Sequence, residues 1–343
     1  MAKIGDALTL LDVARRTDDR GSIAAIAEML TQENDILLDM PWFEGNLPTG
    51  HKTTIRNGLT KPTWRKLNYG VKQSKSTTTQ VVDTCGMLED YGEVDVDLAG
   101  LNGNTREFRL SEDAAHIEGI SQEMASMLFY GDTDTDPEKI LGLAPRYDTP
   151  STDEKEIGSN IIDGGAAAGQ TDLTSLWLVV WGQNTVHGIY PEGSKAGLTN
   201  KDLGEQTVSD GDGGYYQALR SHYQWKAGLC VRDWRYVVRI ANLDVSALAT
   251  AGDDQDTSAN LCKKMIQAIE MVPSLGKGRA VFYSNRAVKT ALRIQLMNKA
   301  NVLLTMDDFT GVGGITRKEL AFQGIPVRRV DKIINNESAL SFN

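Results

Sequence analysis

Four histidines, three cysteines and one run of alternating aspartates are the residues of this 343-residue chain whose types could do chemistry. His51, His116, His187 and His222 stand far apart, and a dispersed Ser–His–Asp set among them stays open because triads are assembled by folding and not by spacing. His116 lies in a helical pattern with no carboxylate or second histidine in register, so a structural role is the better reading. Cys85, Cys230 and Cys262 are odd in number and outside any CxxC spacing. That fits reduced thiols in a cytosolic compartment and gives no expectation of a structural zinc. Asp132, Asp134 and Asp136 alternate as the first ligands of an EF-hand do, but Pro137 and Leu143 stand where the loop needs glycine and glutamate, so a solvated loop is expected. Tyr223, Trp225, Arg232, Trp234, Arg235 and Tyr236 could stack nucleic-acid bases, yet cross-strand aromatic and arginine pairs form without any ligand and are the expectation here. There is no GxSxG, HExxH or GxxxxGK[ST], and the glycines at 211–214 and 311–314 do not follow a strand and open a helix as a phosphate loop requires. No catalytic residue, cofactor or metal is assigned.

The element that most of the chain is organised around is instead the stretch Gly50–Asp95. Its flanks favour extended chain (Thr53, Thr54 and Ile55, then Thr77, Thr78, Thr79, Val81 and Val82), and its middle holds Asn57-Gly58, Pro62, Asn68 and Gly70, so it reads as a two-stranded arm with an irregular tip. Between Gly45 and Val82 lie Lys52, Arg56, Lys61, Arg65, Lys66, Lys72 and Lys75 and no acidic residue, a charge of +7 inside a chain of net charge −10, which leaves −17 for the remainder. A two-stranded ribbon is marginal alone in water. An acidic copy of the same chain would hold it, because opposite fields draw partners together and set their register; the alternative is an ordinary solvated hairpin. With 36 basic against 46 acidic residues, the chain is not a general nucleic-acid binder, and 41% hydrophobic composition is enough for a substantial core.

Apolar spacing predicts two short amphipathic helices between Ile4 and Leu30, and the prolines of Asp39–Pro48 predict an extended lead into the arm. After a turn at Leu101–Asn104, Ser111 reads as the N-cap of a helix carrying Ile117, Ile120, Met124, Met127 and Leu128 and ending at Gly131. Pro145–Gly169 reads as a connection. From Thr174 to Asp244 long strands are expected, in one antiparallel sheet. A loop at 253–256, a helix over Ser258–Met271, a strand Ala280–Tyr283, a helix over Asn285–Lys299, a glycine loop at 311–314 and a strand Ile325–Val330 complete an α/β module. Charges at Lys3, Asp6, Asp12, Arg15 and Arg16 leave no apolar signal region, and the apolar run Leu176–Trp181 is too short to span a bilayer.

In its order of segments the chain resembles the major capsid proteins of tailed double-stranded DNA bacteriophages, whose fold is shared with herpesvirus shells and encapsulins. The resemblance is carried by MPWFEGNLPTGHKTTIRNGLTKPTWRKLNYGVKQSKSTTTQVVD, by EDAAHIEGISQEMASMLFYGD with EKILGLAPRY, and by FYSNRAVKTALR with FQGIPVRRVD. It implies an α+β fold with an N-terminal arm (1–48), an extended loop (49–95), a peripheral domain with the spine helix and long strands (96–245) and an axial domain (246–343). The strand-rich block precedes the axial module, whereas the family's peripheral sheet usually returns near the chain's end, so a permuted connectivity is expected. The function implied is self-assembly as hexamers and pentamers into an icosahedral virion head enclosing DNA without sequence-specific binding. Lys52, Arg56, Arg65, Lys66, Lys72 and Lys75 would make inter-subunit contacts. Copies of itself are the principal partners, with decoration, scaffold and portal proteins as further ones and no membrane, and assembly is placed in the host cytoplasm. An encapsulin-like compartment shell and a cytosolic hydrolase with a dispersed triad are the alternatives.

Overall fold

One strand ties the molecule together, and its neighbours change halfway along it. The structure is a computed structural model and describes residues 32–101, 105–166, 169–209, 213–250, 261–297, 304–310 and 316–342. The helices expected between Ile4 and Leu30, the turn at 102–104, the loop at 253–256 and the glycine loop at 311–314 lie outside the described residues. A one-turn helix, Ile36–Asp39, is followed by β1 (Trp42–Glu44), β2 (Gly50–Gly58) and β3 (Thr77–Asp95), then a short helix, Val96–Ala99, and the long helix Thr105–Tyr130. Next come β4 (Ile161–Asp163), β5 (Leu173–Trp181), β6 (Val186–Tyr190), β7 (Leu198–Ser209), β8 (Tyr215–Val231) and β9 (Val237–Asp244). Helices Val245–Thr250, Leu261–Met271 and Arg286–Met297 then alternate with β10 (Arg279–Ser284), β11 (Leu304–Thr310), β12 (Thr316–Phe322) and β13 (Ile325–Arg329).

Backbone bonds connect these strands in the order β11-β12-β13-β10-β5-β6-β8-β3-β2, with β1, β4, β7 and β9 branching from that path. Within Thr174–Asp244 the pairs β5–β9, β6–β8 and β7–β8 are antiparallel as expected, apart from one parallel contact between β5 and β6; the wider sheet is mixed, with β1 parallel to β6, β4 to β9 and β10 to β13. β3 pairs with β2 as far as Thr84 and with β8 from Cys85 onward, so its 19 residues, roughly 60 Å at strand rise, carry the arm's second strand directly into the body. β5 is buried at all nine positions, as a continuous apolar run covered on both faces should be; Trp177 at its centre meets Phe129 of the long helix and Tyr147. The β5–β10 pairing crosses the expected 245/246 division. Pro145–Gly169 holds more than a connection, since β4 buries Ile161 and Ile162 there.

The long helix starts six residues before the expected N-cap, Ser111, because Phe108 buries with Val94 and Ala99 in a small second core. Ile120, Met124 and Leu128 face the core as the spacing implies, but Ile117 is 40% exposed. Gly131 ends the helix: its N–H bonds the Met127 carbonyl at 2.9 Å, and a Cβ there would stand 2.3 Å from the Ile140 carbonyl oxygen.

Residues 32–48 are stitched to the body, and the stretch expected to be extended, Asp39–Pro48, holds β1. Ile36 and Met40 are core residues, β1 lies along β6, and Asp39 pairs with Arg279 at 2.8 Å and Arg328 at 3.4 Å. Proline keeps this segment extended, and burial of its apolar side chains then decides where it lies. Burial, with Glu33 and Glu319 close by, raises the Asp35 carboxyl from 3.8 to about 6. The folded chain therefore holds this proton more tightly than the unfolded chain, and as pH rises from about 4 to about 6 stability is lost. Asp35→Asn is expected to raise the stability of the subunit at pH 8 by about 1–3 kcal/mol and to leave it near wild type at pH 4. Chemical denaturation at the two pH values checks this; an equal effect at both would contradict it.

Candidate functional site

β2 and β3 form the shaft of the arm, in register from Gly50 opposite Thr84 to Arg56 opposite Thr78, with a bulge before Gly58. The Asn57 side chain donates to Thr79 Oγ1 and accepts from Thr77 Oγ1, both at 2.8 Å, which closes the shaft where the ladder ends. From Leu59 to Ser76 the chain has no regular structure beyond a turn at 67–68, the left-handed Asn68 lying within it. At the opposite end Gly50 lies against β3 so closely that a Cβ would be 2.1 Å from the Asp83 carbonyl oxygen.

All six expected contact residues lie on this arm and are exposed: Lys52 and Arg56 on β2, Arg65, Lys66, Lys72 and Lys75 in the tip. None of them forms an ion pair among the described residues. Interleaved with them is something sequence reasoning passed over: Trp64 is 100% exposed, Leu67 87% and Leu59 80%, with Tyr69 and Val71 also open. Large apolar side chains exposed together on one segment are the kind of surface that another molecule covers. Its only sequence signal was large apolar residues placed among turn formers without any period. Acidic side chains are exposed elsewhere on the body, at Asp134, Glu138, Asp148, Asp153, Glu154 and Glu156.

The residues with chemical potential are held by the fold in other ways. His116 does have a carboxylate partner, Asp90 of β3 at 2.5 Å, and stacks on Tyr223; the partner was invisible in sequence because it comes from a strand 26 residues away. His222 lies 3.3 Å from Glu89 and stacks on Tyr91. Asp132 accepts from the Asp134 N–H at 3.0 Å and the Thr135 hydroxyl at 2.7 Å, while Asp136 pairs with Lys139, so these aspartates close turns. Tyr223, Trp225 and Tyr236 are buried and Arg235 pairs with Asp233, which is the packing expected of that group. His51 and His187 meet edge-on at 5.9 Å between centroids beneath the arm, and burial together with His51 lowers His187 to about 4.

A long strand, a spine helix across it and an exposed basic and apolar arm define a shell subunit, built to join copies of itself. Residues 18–341 match the family described as major capsid protein GP7, and the chain belongs to that family. It is similar to a chain of the near-atomic-resolution structure of bacteriophage Epsilon15, at 37% identity over 99% of both chains with a TM-score of 0.76. More distant likenesses are to the bacteriophage JBD30 capsid, at 8% identity over 89% of this chain and 92% of that one with a TM-score of 0.47, and to the holo-SrpI encapsulin complex of Synechococcus elongatus PCC 7942, at 11% identity over 69% and 96% with a TM-score of 0.44. No curated protein matches the chain. The chain is a major capsid protein, a structural and non-enzymatic subunit of which many copies form the icosahedral head of a phage. Neither the compartment-shell nor the hydrolase alternative is favoured by these matches. No helix among the described residues is long and apolar enough to cross a membrane.

Proposed function

We propose that the arm is the principal clasp between neighbouring capsid subunits, with Lys52, Arg56, Arg65, Lys66, Lys72 and Lys75 set against acidic surface of the adjacent copy and Trp64 as the apolar anchor. The observation that carries this is the fully exposed Trp64 in the tip of an arm that has seven basic residues and no acidic one. Aromatic anchors ringed by charge are the composition of binding hot spots, and the charges bring the two surfaces together in register. Each clasp is weak, but every subunit gives one and receives one, so the closed shell gains from avidity. In this reading residues 1–48 act as an arm whose described part is anchored on the body, 49–95 as the extended loop, 96–245 as the peripheral part and 246–343 as the axial part. Subunits are grouped as hexamers and pentamers around double-stranded DNA, which a chain of net charge −10 encloses without reading its sequence. Assembly proceeds in the host cytoplasm, with scaffold, portal and decoration proteins as partners.

The test is a cysteine pair. With one cysteine at Trp64 and others placed singly at Asp134, Asp153 and Glu154, mild oxidation of assembled shells should link subunits covalently into ladders for at least one pairing. Shells in which no pairing links, while the tip cysteine stays open to an aqueous maleimide, would remove the clasp from the account.

A further inference from the structure

Two cross-strand pairs face each other at the root of the arm. His51 of β2 stands opposite Asp83 of β3, and His187 of β6 stands opposite Cys230 of β8. Directly opposed residues of an antiparallel pair project to the same side of the sheet with Cβ atoms about 5 Å apart, so each ribbon presents two donors together. One ring nitrogen from each histidine and the Cys230 sulfur lie within 4.8 Å of one another. The Asp83 carboxylate is 3% exposed and its charge bears on the Cys230 thiol. His187 is 2% exposed and Cys230 fully buried.

The hydrogen bonding at this place is incomplete in a particular way. His51 Nδ1, His187 Nδ1 and Asp83 Oδ2 are all buried without a hydrogen-bond partner, whereas buried polar atoms ordinarily have one. One outer contact is in place: Arg146 Nη2 donates to Asp83 Oδ1 at 2.7 Å. Such a contact fixes the orientation of a ligating carboxylate.

We propose that His51, Asp83, His187 and Cys230 form a binding site for a borderline-soft divalent cation, with zinc as the ordinary occupant. Two imidazoles, one thiolate and one carboxylate are a donor set for tetrahedral zinc, which such ligands hold at about 2.0–2.3 Å; three of the four donors already lie within 4.8 Å of one another. Hard cations such as calcium and magnesium require oxygen ligands and are excluded by the set. On binding, Cys230 loses its thiol proton to solvent, and the thiolate and the Asp83 carboxylate together neutralise the dication. The bound metal would tie the arm's shaft to the β6–β8 ribbon and so fix the direction in which the arm leaves the body. That last consequence rests on the clasp reading, while the site itself does not.

The test uses full-length protein, as assembled shells and as free subunits, stripped with chelator, equilibrated with zinc and desalted. A single zinc per chain is expected by elemental analysis, together with a higher melting temperature. Cobalt used as a probe should give a thiolate-to-metal charge-transfer band that Cys230→Ser abolishes. His51→Gln, at a half-buried position that leaves the β6–β8 pair intact, should weaken zinc retention about tenfold or more with an unchanged far-ultraviolet spectrum, and it carries the comparison if Cys230→Ser does not fold. Retention of no zinc by the wild type, or equal retention by wild type and His51→Gln, would overturn the site. Either failure would leave the disulfide ladders of the clasp experiment unaffected, so the two ideas fail separately.

Discussion

Subunits carrying glutamate at Arg56, Arg65, Lys66, Lys72 and Lys75 are expected to fold and to form no closed shells. The five changes take the arm from +7 to −3, and because all five side chains are exposed they disturb no packing within the subunit. At a neighbour's acidic surface every former attraction becomes a repulsion, repeated at each clasp of the shell, so the effect on closure is close to all-or-none. Trp64→Ala tests the other half of the clasp. It removes nothing from the isolated chain, where the indole is fully exposed, but loss of a central aromatic anchor costs about 2 kcal/mol or more per contact. Sedimentation velocity and electron microscopy read assembly, and circular dichroism reads folding. Closed shells of normal yield from the charge-reversed subunit would remove the electrostatic part of the account.

Glu337→Ala is expected to be the most damaging single change to the subunit itself. Glu337 lies in the C-terminal tail, 7% exposed, and its Oε2 receives the Arg239 guanidinium at 2.8 Å. Ser175 also donates to that oxygen, and Tyr130 of the spine helix donates to Oε1 at 2.5 Å. Arg239, 4% exposed, further donates to Ser175 Oγ at 3.0 Å and the Tyr147 carbonyl at 2.7 Å, and its guanidinium lies over Trp177. One carboxylate thus joins the tail, the spine helix, β5 and β9. Removing it leaves a buried cation without a counter-charge, a loss of about 3–5 kcal/mol, whereas Glu337→Gln keeps one accepting oxygen for the Arg239 guanidinium and should cost less. Denaturant unfolding of the unassembled subunit distinguishes the two, and equal small effects from both would show that the network is not buried as described.

The arm and the spine helix were legible because their signals are local. Threonine and valine flanking a run of turn formers suffices for a hairpin, and apolar residues three and four apart suffice for a helix. The errors fall where distant packing decided. The spine helix extends back past Ser111 because Phe108 finds Val94 and Ala99, and residues 32–48 lie docked because Ile36 and Met40 enter the core. The β11–β12 pair was missed because Leu-Thr-Met-Asp-Asp-Phe-Thr has neither a clean alternation nor an apolar run; its partner strand makes it extended. The charge of the arm was plain in the sequence, but its exposed aromatic tip was not, since an apolar residue reads as buried until the fold shows nothing over it. The four donors at the arm's root come from strands up to 179 residues apart, and register brings them together two by two.

The central claim, that the arm of one subunit is seated on its neighbour, is tested most directly by an electron cryo-microscopy map of the assembled shell at side-chain resolution. The account predicts that residues 59–76 are covered by an adjacent subunit, with Trp64 in an apolar recess and carboxylates within ion-pair distance of Arg65, Lys66, Lys72 and Lys75. A map in which the tip projects into solvent, or folds back on its own subunit with Trp64 uncovered by any neighbour, would contradict it.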